Sequence, residues 1–305
     1  MFSQDDLDYE LERSRGLLVG SHAVERALSR DGFGKDIYML TNADTEDAWV
    51  EVINSDRTRV RLELGYSDSD FVICFANSFF VNSGLEELIS ALSLLPDYYK
   101  VVVSGAGPER YTARLKGQIR KLGLEARVNW LLFEPEELNR WRSAFDLGVI
   151  LLNPGFPNHK QIFPNRLFEI LAAGIPLLSS ELPEIVRLVE RTGVGKIVKD
   201  YTPTGIAQSI RQFEDPVVRR ACLMANQSQR RELSFDSQKT FLSAWLTQHL
   251  QGSDVSVCCA KSISTNKRVA RLVKTLVEAG KSITVYSYES PKAGLRVSGV
   301  NYIEI

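Results

Sequence analysis

The sequence predicts an α/β protein: a parallel sheet with helices on both faces, and partial strand–helix–strand pieces at either end of the chain. Three observations carry this. From Asp70 to Phe213, short apolar runs alternate with amphipathic ones, the pattern of a parallel sheet whose crossovers are helices. The short runs, such as Phe71 to Ala76, are almost continuously apolar, as strands covered on both faces must be. And FPNRLFEILAAGIPLLSSELPEI, Phe163 to Ile185, reads as turn, helix, tight turn, strand, turn and helix start within one short stretch.

Composition bounds the function. The 305 residues are 44% hydrophobic and 25% charged, with a net charge of −1. That is an ordinary globular balance, enough chain for about two domains. It gives no electrostatic case for a nucleic-acid partner. No apolar run approaches the ~20 residues that span a bilayer, and the N-terminus MFSQDDLDYELER is too acidic for a secretory signal. A cytoplasmic setting is therefore expected, with peripheral contact at the inner face of a membrane left open. Cys74, Cys222, Cys258 and Cys259 show no C-x-x-C spacing, so they read as core residues in a reducing compartment. His22, His159 and His249 are scattered, so neither a metal nor another cofactor is expected.

In chain order, 5–14 looks helical, 16–19 is a short strand, Ser21 caps a helix to about Ser29, and 36–40 is a second short strand. Residues 44–69 are polar without strong periodicity, and read as a connection between domains. Then strands at 71–76, 100–104, 127–132 and 146–152 alternate with helices at 83–95, 109–122 and 134–144. After the central stretch come a strand at 195–198 and helices at 204–213 and 235–250. A last strand–helix–strand follows at 254–259, 266–279 and 282–286, with a final strand from Val300. Ligands in such sheets lie beyond the carboxyl ends of the strands. That places the loops 77–84, 105–108, 131–134 and 153–166 around one cleft.

Within the central stretch, Pro164 and Asn165 supply a fixed φ and a capping side chain, and Gly174 and Pro176 stop the helix. Ile175 to Leu178 would be the strand. At about 100° per residue, Leu167, Phe168, Ile170 and Leu171 share one face, and Asn165, Arg166, Glu169, Ala172 and Ala173 the other. A helix N-terminus suits phosphate, and a carboxylate one turn in could accept hydrogen bonds from ribose hydroxyls. The same pattern also fits an ordinary amphipathic helix, with Glu169 solvated or paired to Arg166.

PNRLFEILAAGIPLLSSELPEI resembles the nucleotide-sugar-binding segment of the retaining glycosyltransferases of family 4, whose usual form is PNKLFEYLAAGLPVVAS-x-x-PEI. The likeness runs from about Arg13 to Gln251. It implies the GT-B fold of two facing Rossmann-like domains, of which 70–252 would be the donor-binding one. It implies a UDP- or GDP-sugar donor and a glycan or glycolipid acceptor, in polysaccharide or glycolipid assembly. Glu169 would meet the ribose, and Pro164, Asn165, Arg166 and Leu167 would present backbone donors to the diphosphate. Gln161 would reach the sugar, and Gly84, Gly105, Gly107, Leu132 and Phe133 would line the nucleotide pocket. Gln161 and Glu169 are thus the candidate catalytic residues. Taken alone, Gly105-Ala106-Gly107-Pro108 is equally a tight strand-to-helix turn, and His159 and Lys160 are equally ligands or solvated loop residues.

Two departures stand out. Many family members carry a glutamate where this chain has Gln161, and an amide brings no negative charge to the sugar. The family also places an Arg and a Lys-Gly after the first strand of this domain, against the leaving diphosphate. Here Asn77-Ser78-Phe79-Phe80-Val81-Asn82-Ser83-Gly84 keeps the glycine and neither cation. Arg166 and Lys160 are the cations left to compensate.

Residues 1–45 resemble the tail of the family's N-terminal, acceptor-binding domain, with 46–69 as connection. DVSVCCAKSISTNKRVARLVKTLVEAGKSITVYSY, within 253–305, looks like the opening of a further such domain. The expectation is a piece of a longer tandem polypeptide; the alternative is a small βαβ packed on the main sheet. The function expected is a retaining, metal-independent hexosyltransferase. The rival is a weakened or non-catalytic nucleotide-sugar-binding module.

Overall fold

The computed structural model describes residues 16–304 apart from 20–21, 31, 42, 44, 48–55, 77–78, 132–137, 250–253, 260–266 and 288–297. The chain divides into two compact units, residues 43–234 and residues 1–42 with 235–305.

The first of these carries a six-stranded sheet. Its strands are β3 (Phe71–Ala76), β4 (Tyr99–Ser104), β5 (Val128–Leu131), β6 (Leu147–Ile150), β7 (Leu177–Ser180) and β8 (Gly195–Val198). They lie in the order β5-β4-β3-β6-β7-β8, and every pairing is parallel. The chain steps outward from β3 in one direction, returns, and steps outward from β6 in the other. The reversal opens a crevice beyond the carboxyl ends of β3 and β6, where such sheets bind ligands. Both faces of β3 are covered: Phe71, Val72, Ile73, Cys74 and Phe75 are all buried.

Helix α2 (Arg57–Glu63) precedes the sheet, the crossovers are α3 (Leu85–Leu92), α4 (Glu109–Lys121), α5 (Leu138–Arg142), α6 (Asn165–Ala172) and α7 (Pro183–Thr192), and α8 (Pro203–Arg211) and α9 (Pro216–Leu233) follow the last strand. Leu85, Leu88, Ile89 and Leu92 of α3 are fully buried against β3, β4 and α8. Each such side chain contributes about 1.5–3 kcal/mol of apolar burial. The helix expected over 83–95 is trimmed because Gly84 precedes it in the left-handed region, φ 87°. The strand expected at 175–178 is displaced to Leu177–Ser180. Pro176 has no N–H for a ladder, and its carbonyl instead accepts from Gly148 N–H at 3.0 Å.

Two expectations change at the amino edge of the sheet. Residues 57–63, read as connection, form α2, capped by Asp56 accepting from Arg59 N–H at 3.1 Å. The cause is tertiary. Arg61 is buried and donates to Ala144, Ser67 and Asp70 carbonyls at 2.7, 2.8 and 2.6 Å, and to Asp146 at 3.0 Å. Arg57 reaches the same carboxylate at 2.6 Å. The second change is α9, a helix the periodicity reading passes over. Its apolar stripe is sparse: Cys222, Asn226 and Leu233 are its buried positions.

The other unit holds two small parallel sheets. β1 (Gly16–Val19) pairs with β2 (Asp36–Met39), with α1 (His22–Arg30) between them in the chain. β9 (Asp254–Cys259), β10 (Ser282–Ser287) and β11 (Val300–Glu304) form a separate sheet in the order β11-β10-β9, with α11 (Lys267–Glu278) as one crossover. These strands are not members of the six-stranded sheet. Helix α10 (Phe235–His249), drawn from sequence into the domain 70–252, clusters with this unit. Tyr38 stacks on Phe241 at 4.8 Å, and Gln238 accepts from Thr41 N–H at 2.8 Å. No described helix is long and apolar enough to cross a membrane. The helix expected over 5–14 lies outside the described residues.

Candidate functional site

The crevice at the carboxyl ends of β3 and β6 is walled by the loops that follow them, and backbone hydrogen bonds tie these loops together. Phe79 N–H donates to Ala106 C=O at 3.0 Å, joining the loops after β3 and β4. Asn153 N–H donates to Asn82 C=O at 3.0 Å, joining the loops after β3 and β6. Two of the predicted site glycines are required by this packing. A side chain at Gly84 would place its first carbon 1.8 Å from the Leu151 carbonyl oxygen. One at Gly107 would lie 2.4 Å from the Phe79 ring. Gly105 follows β4 directly, with φ 148°. Leu132 and Phe133 lie outside the described residues.

The loop after β6 tightens into a 3-10 turn over Pro157–Gln161. His159, a candidate ligand or solvated residue in the sequence, is neither. It is buried, its Nδ1 lies 2.8 Å from the Asn153 carbonyl oxygen, and its ring packs against Phe156 and Phe80. Lys160 and Gln161 are exposed at the end of the turn. The chain then enters α6.

Helix α6 opens without a side-chain cap. Its N-cap is Pro164, in an extended conformation and with no capping bond; Asn165 is the first helical residue and caps nothing. That corrects the expected Asn165 cap, and the reason is register: Pro164 pre-sets the entry and cannot itself bond the helix amides. Leu167 N–H turns back to Pro164 C=O at 3.0 Å, while Asn165 and Arg166 supply the leading amides. The first turn holds no acid, so the positive end of the helix dipole is uncompensated by a carboxylate of its own turn.

The α6 face that carries Glu169 is covered beyond Asn165. Ala172 and Ala173 are buried. Glu169 is paired with Arg142 at 3.4 Å, a buried arginine from α5. Arg166 stands one turn before Glu169 on the same face. These three side chains, with Cys74, Ala76 and Ser104, line a small cavity of about 30 Å³, enough to admit a water molecule. Burial lowers the Arg166 guanidinium to about 10, a drop that the nearby Glu169 carboxylate limits. Its Nε and Nη1 are shielded from solvent and have no hydrogen-bond partner among the described residues. Burial also pushes the Cys74 thiol up to about 12, so it stays neutral and supplies no counter-charge.

Arg166 and Glu169 lie on the helix and face that periodicity gives them, and Arg142 is an addition from the structure. Arg142 sits in WRSAFD, a segment too short and charged to show which face is buried. Across the crevice, Phe79 to Gly84 carries no cation. Ser83, the polar side chain nearest α3, is buried. Among the described residues, the crevice thus brings together the α6 amides, the Glu169 carboxylate and the Arg142 and Arg166 guanidinium groups.

Comparison with known proteins gives the following. The family model described as "Glycosyl transferases group 1" matches residues 56–227, more than half of the chain. N-acetyl-alpha-D-glucosaminyl L-malate synthase of Bacillus anthracis is 23% identical over 189 residues, which cover 61% of this chain and 46% of that protein. The chain thus spans about half the length of this curated relative. The structure of Anabaena HepE with UDP and glucose superposes with a TM-score of 0.67 at 19% identity, over 81% of this chain and 67% of that one. Sucrose-phosphate synthase of Thermosynechococcus elongatus gives 0.66 at 17% identity, over 81% and 62%. At such identities the two structures speak to the fold, which is GT-B.

Proposed function

This chain belongs to the group 1 glycosyl transferases, and from that premise we propose that it serves a retaining transfer of a sugar from a nucleotide-diphospho-sugar to a glycan or lipid-linked acceptor. One observation carries the reading. At the crevice between β3 and β6, the uncapped N-terminus of α6 lies one turn from the Glu169 carboxylate. Free amides at a positive helix end receive phosphate oxygens, and a carboxylate at that spacing accepts from ribose hydroxyls. Because HepE was crystallised with UDP and glucose, a uridine diphospho-sugar is the first donor to try, with GDP-sugars second.

The chemistry we assign to this chain is positioning and charge stabilisation. Asn165 and Arg166 amides bind the diphosphate, Glu169 fixes the ribose, and Gln161 reaches the sugar hydroxyls as a neutral donor and acceptor. The negative charge on the leaving diphosphate is met by helix amides and guanidinium groups, with no metal called for. The setting is cytoplasmic, with acceptor or membrane contact at the inner leaflet. A second reading is a binding module without turnover. The cation-free loop from Phe79 to Gly84 favours it, since the departing diphosphate finds no charge on that side.

Titration calorimetry of the full chain with UDP, GDP and their glucose and N-acetylglucosamine conjugates tests the reading. Saturable micromolar binding of one nucleotide is expected, weakened at least tenfold in Glu169→Ala. No binding at millimolar nucleotide would overturn it. Binding without sugar release or transfer to any acceptor would select the second reading.

A further inference from the structure

At the amino ends of the strands, away from the crevice, lies an open groove of about 630 Å³. Small-molecule sites commonly hold about 300–1,000 Å³. One wall is a face of α9. At about 100° per residue, Arg219, Leu223, Asn226, Gln227 and Arg230 fall in one stripe of that helix, and all of them line the groove. The turn from α6 into β7, through Ile175 and Pro176, lines it as well.

The two arginines of this wall differ from the other shielded ones. In the same compact unit, Arg57, Arg61, Arg127, Arg140 and Arg142 are buried or half-buried, and each pairs with a carboxylate. Arg219 and Arg230 are half-buried too, and neither pairs with a carboxylate among the described residues. What holds them is uncharged. The Arg219 guanidinium lies over the Phe71 ring at 5.9 Å, and Arg230 Nη2 donates to the Glu46 carbonyl at 3.2 Å. Such contacts fix a guanidinium in place without neutralising it. The Arg219 charge is felt across the groove: burial lowers the Arg57 guanidinium, Asp146 opposes the drop, and the charges of Arg61 and Arg219 add to it. Of the two acids in the lining, Asp146 is taken up by Arg57, Arg61 and Val72 N–H, and Asp68 is exposed.

Spacing sets the shape of what fits. Arg219 and Arg230 stand about 16 Å apart along the α9 axis, with the partly exposed Leu223 between them on the same stripe. We propose that this groove binds an elongated small organic anion, with a carboxylate or phosphate at each end and an apolar or neutral middle. Arg219, beside Arg57, meets one end and Arg230 the other, while Leu223 and Pro176 pack the middle. Carboxylate and phosphate both offer paired oxygens to the fork of guanidinium donors. The groove shares no residue with the loops that wall the crevice, so this site is additional to the donor site.

The full chain is titrated by calorimetry with suberate, a carboxylate at each end of an apolar chain, and with fructose 1,6-bisphosphate. Butyrate and inorganic phosphate are the one-ended controls. Saturable binding of a two-ended probe is expected, at least about tenfold tighter than its control, and the probe that binds identifies the anion. Arg219→Gln and Arg230→Gln should each weaken it by at least about tenfold, the weight of a charge-assisted hydrogen bond. Leu223→Glu, at a partly exposed position, should weaken it as much without disturbing the fold. Arg220→Gln, on an exposed neighbour outside the groove, should leave it intact, and Asp68→Asn should tighten it by removing an acid. Circular dichroism and thermal melting verify that the variants fold. Saturating UDP should leave the titration unchanged. Competition by UDP would put the anion in the crevice and overturn the proposal. So would binding indifferent to the α9 substitutions, two-ended probes no tighter than their controls, or no binding of either at millimolar concentration. Neither probe is a nucleotide, so these failures leave the donor reading standing.

Discussion

Two arginine pairs lie beside single carboxylates at opposite edges of the same sheet, and they are built differently. At the amino edge, Arg57 and Arg61 hold Asp146. Most of their other donors meet backbone: Arg57 donates to the Ser143 and Phe145 carbonyls at 2.7 and 2.8 Å, and Arg61 to those of Ala144, Ser67 and Asp70, while Arg61 Nε is shielded with no partner among the described residues. Asp146 in turn accepts from Val72 N–H at 2.8 Å, which pins the start of β3. At the carboxyl edge, Arg142 pairs with Glu169 at 3.4 Å, Arg166 lines the same small cavity, and Arg166 keeps two shielded nitrogens without acceptors among the described residues. The first cluster is tied to five backbone carbonyls and to the start of β3. In the second, Arg166 makes no such backbone bond among the described residues. Removing one partner from a buried, hydrogen-bonded charge cluster leaves the others uncompensated, so the backbone-tied cluster is where a substitution should cost the most stability.

The sharpest way to break this comparison is at the amino edge. Arg61→Met strips three carbonyls and a carboxylate of their donor while keeping apolar bulk, and should cost about 3–5 kcal/mol in urea unfolding. A loss under about 1 kcal/mol would mean the amino-edge cluster is not what holds α2 and β3 together. Gly84→Ala should follow, at about 2–4 kcal/mol, because it forces a side chain into the Leu151 backbone from a left-handed conformation. At the carboxyl edge the order of effects should invert. Glu169→Gln is expected to cost about 1–2 kcal/mol of stability but at least tenfold in nucleotide affinity; equal stability loss at both edges would erase the distinction drawn here.

The smallest effect is in alkali. Burial raises Cys74 and Tyr66 to about 12, from ordinary values of 9.0 and 10.0. Folded values above the unfolded ones mean that this stability is fully present below about pH 9 and is lost as pH rises through about 12. The urea midpoint should therefore be flat from about pH 7 to 9 and fall toward about pH 11, less so in Cys74→Ala. Native Cys74 should also resist thiol reagents at about pH 8, and rapid labelling would show that the cavity opens.

Much of the fold is legible in the sequence because it is local. Strands at 71–76 and 195–198, and the helix from 109, are found where apolar runs and periodicity place them. Helix α2 and helix α9 were not legible. The first is fixed by Arg61 reaching carbonyls from other segments, and the second has too few buried positions to show a stripe. The α6 segment was legible as a unit, but its capping was not, since Pro164 rather than Asn165 takes the N-cap position.

By itself, then, the sequence determined the parallel α/β architecture, the helix whose N-terminus opens on the cleft, and the want of cations in the loop after β3. These follow from residue type and spacing along the chain. Only the tertiary structure decided that His159 is a buried strut, that Gly84 and Gly107 are there for close packing, and that Arg142 grips Glu169 from 27 positions away. Those outcomes depend on which side chains meet across the sheet. Burial and charge pairing are properties of that meeting, and no window along the chain contains them.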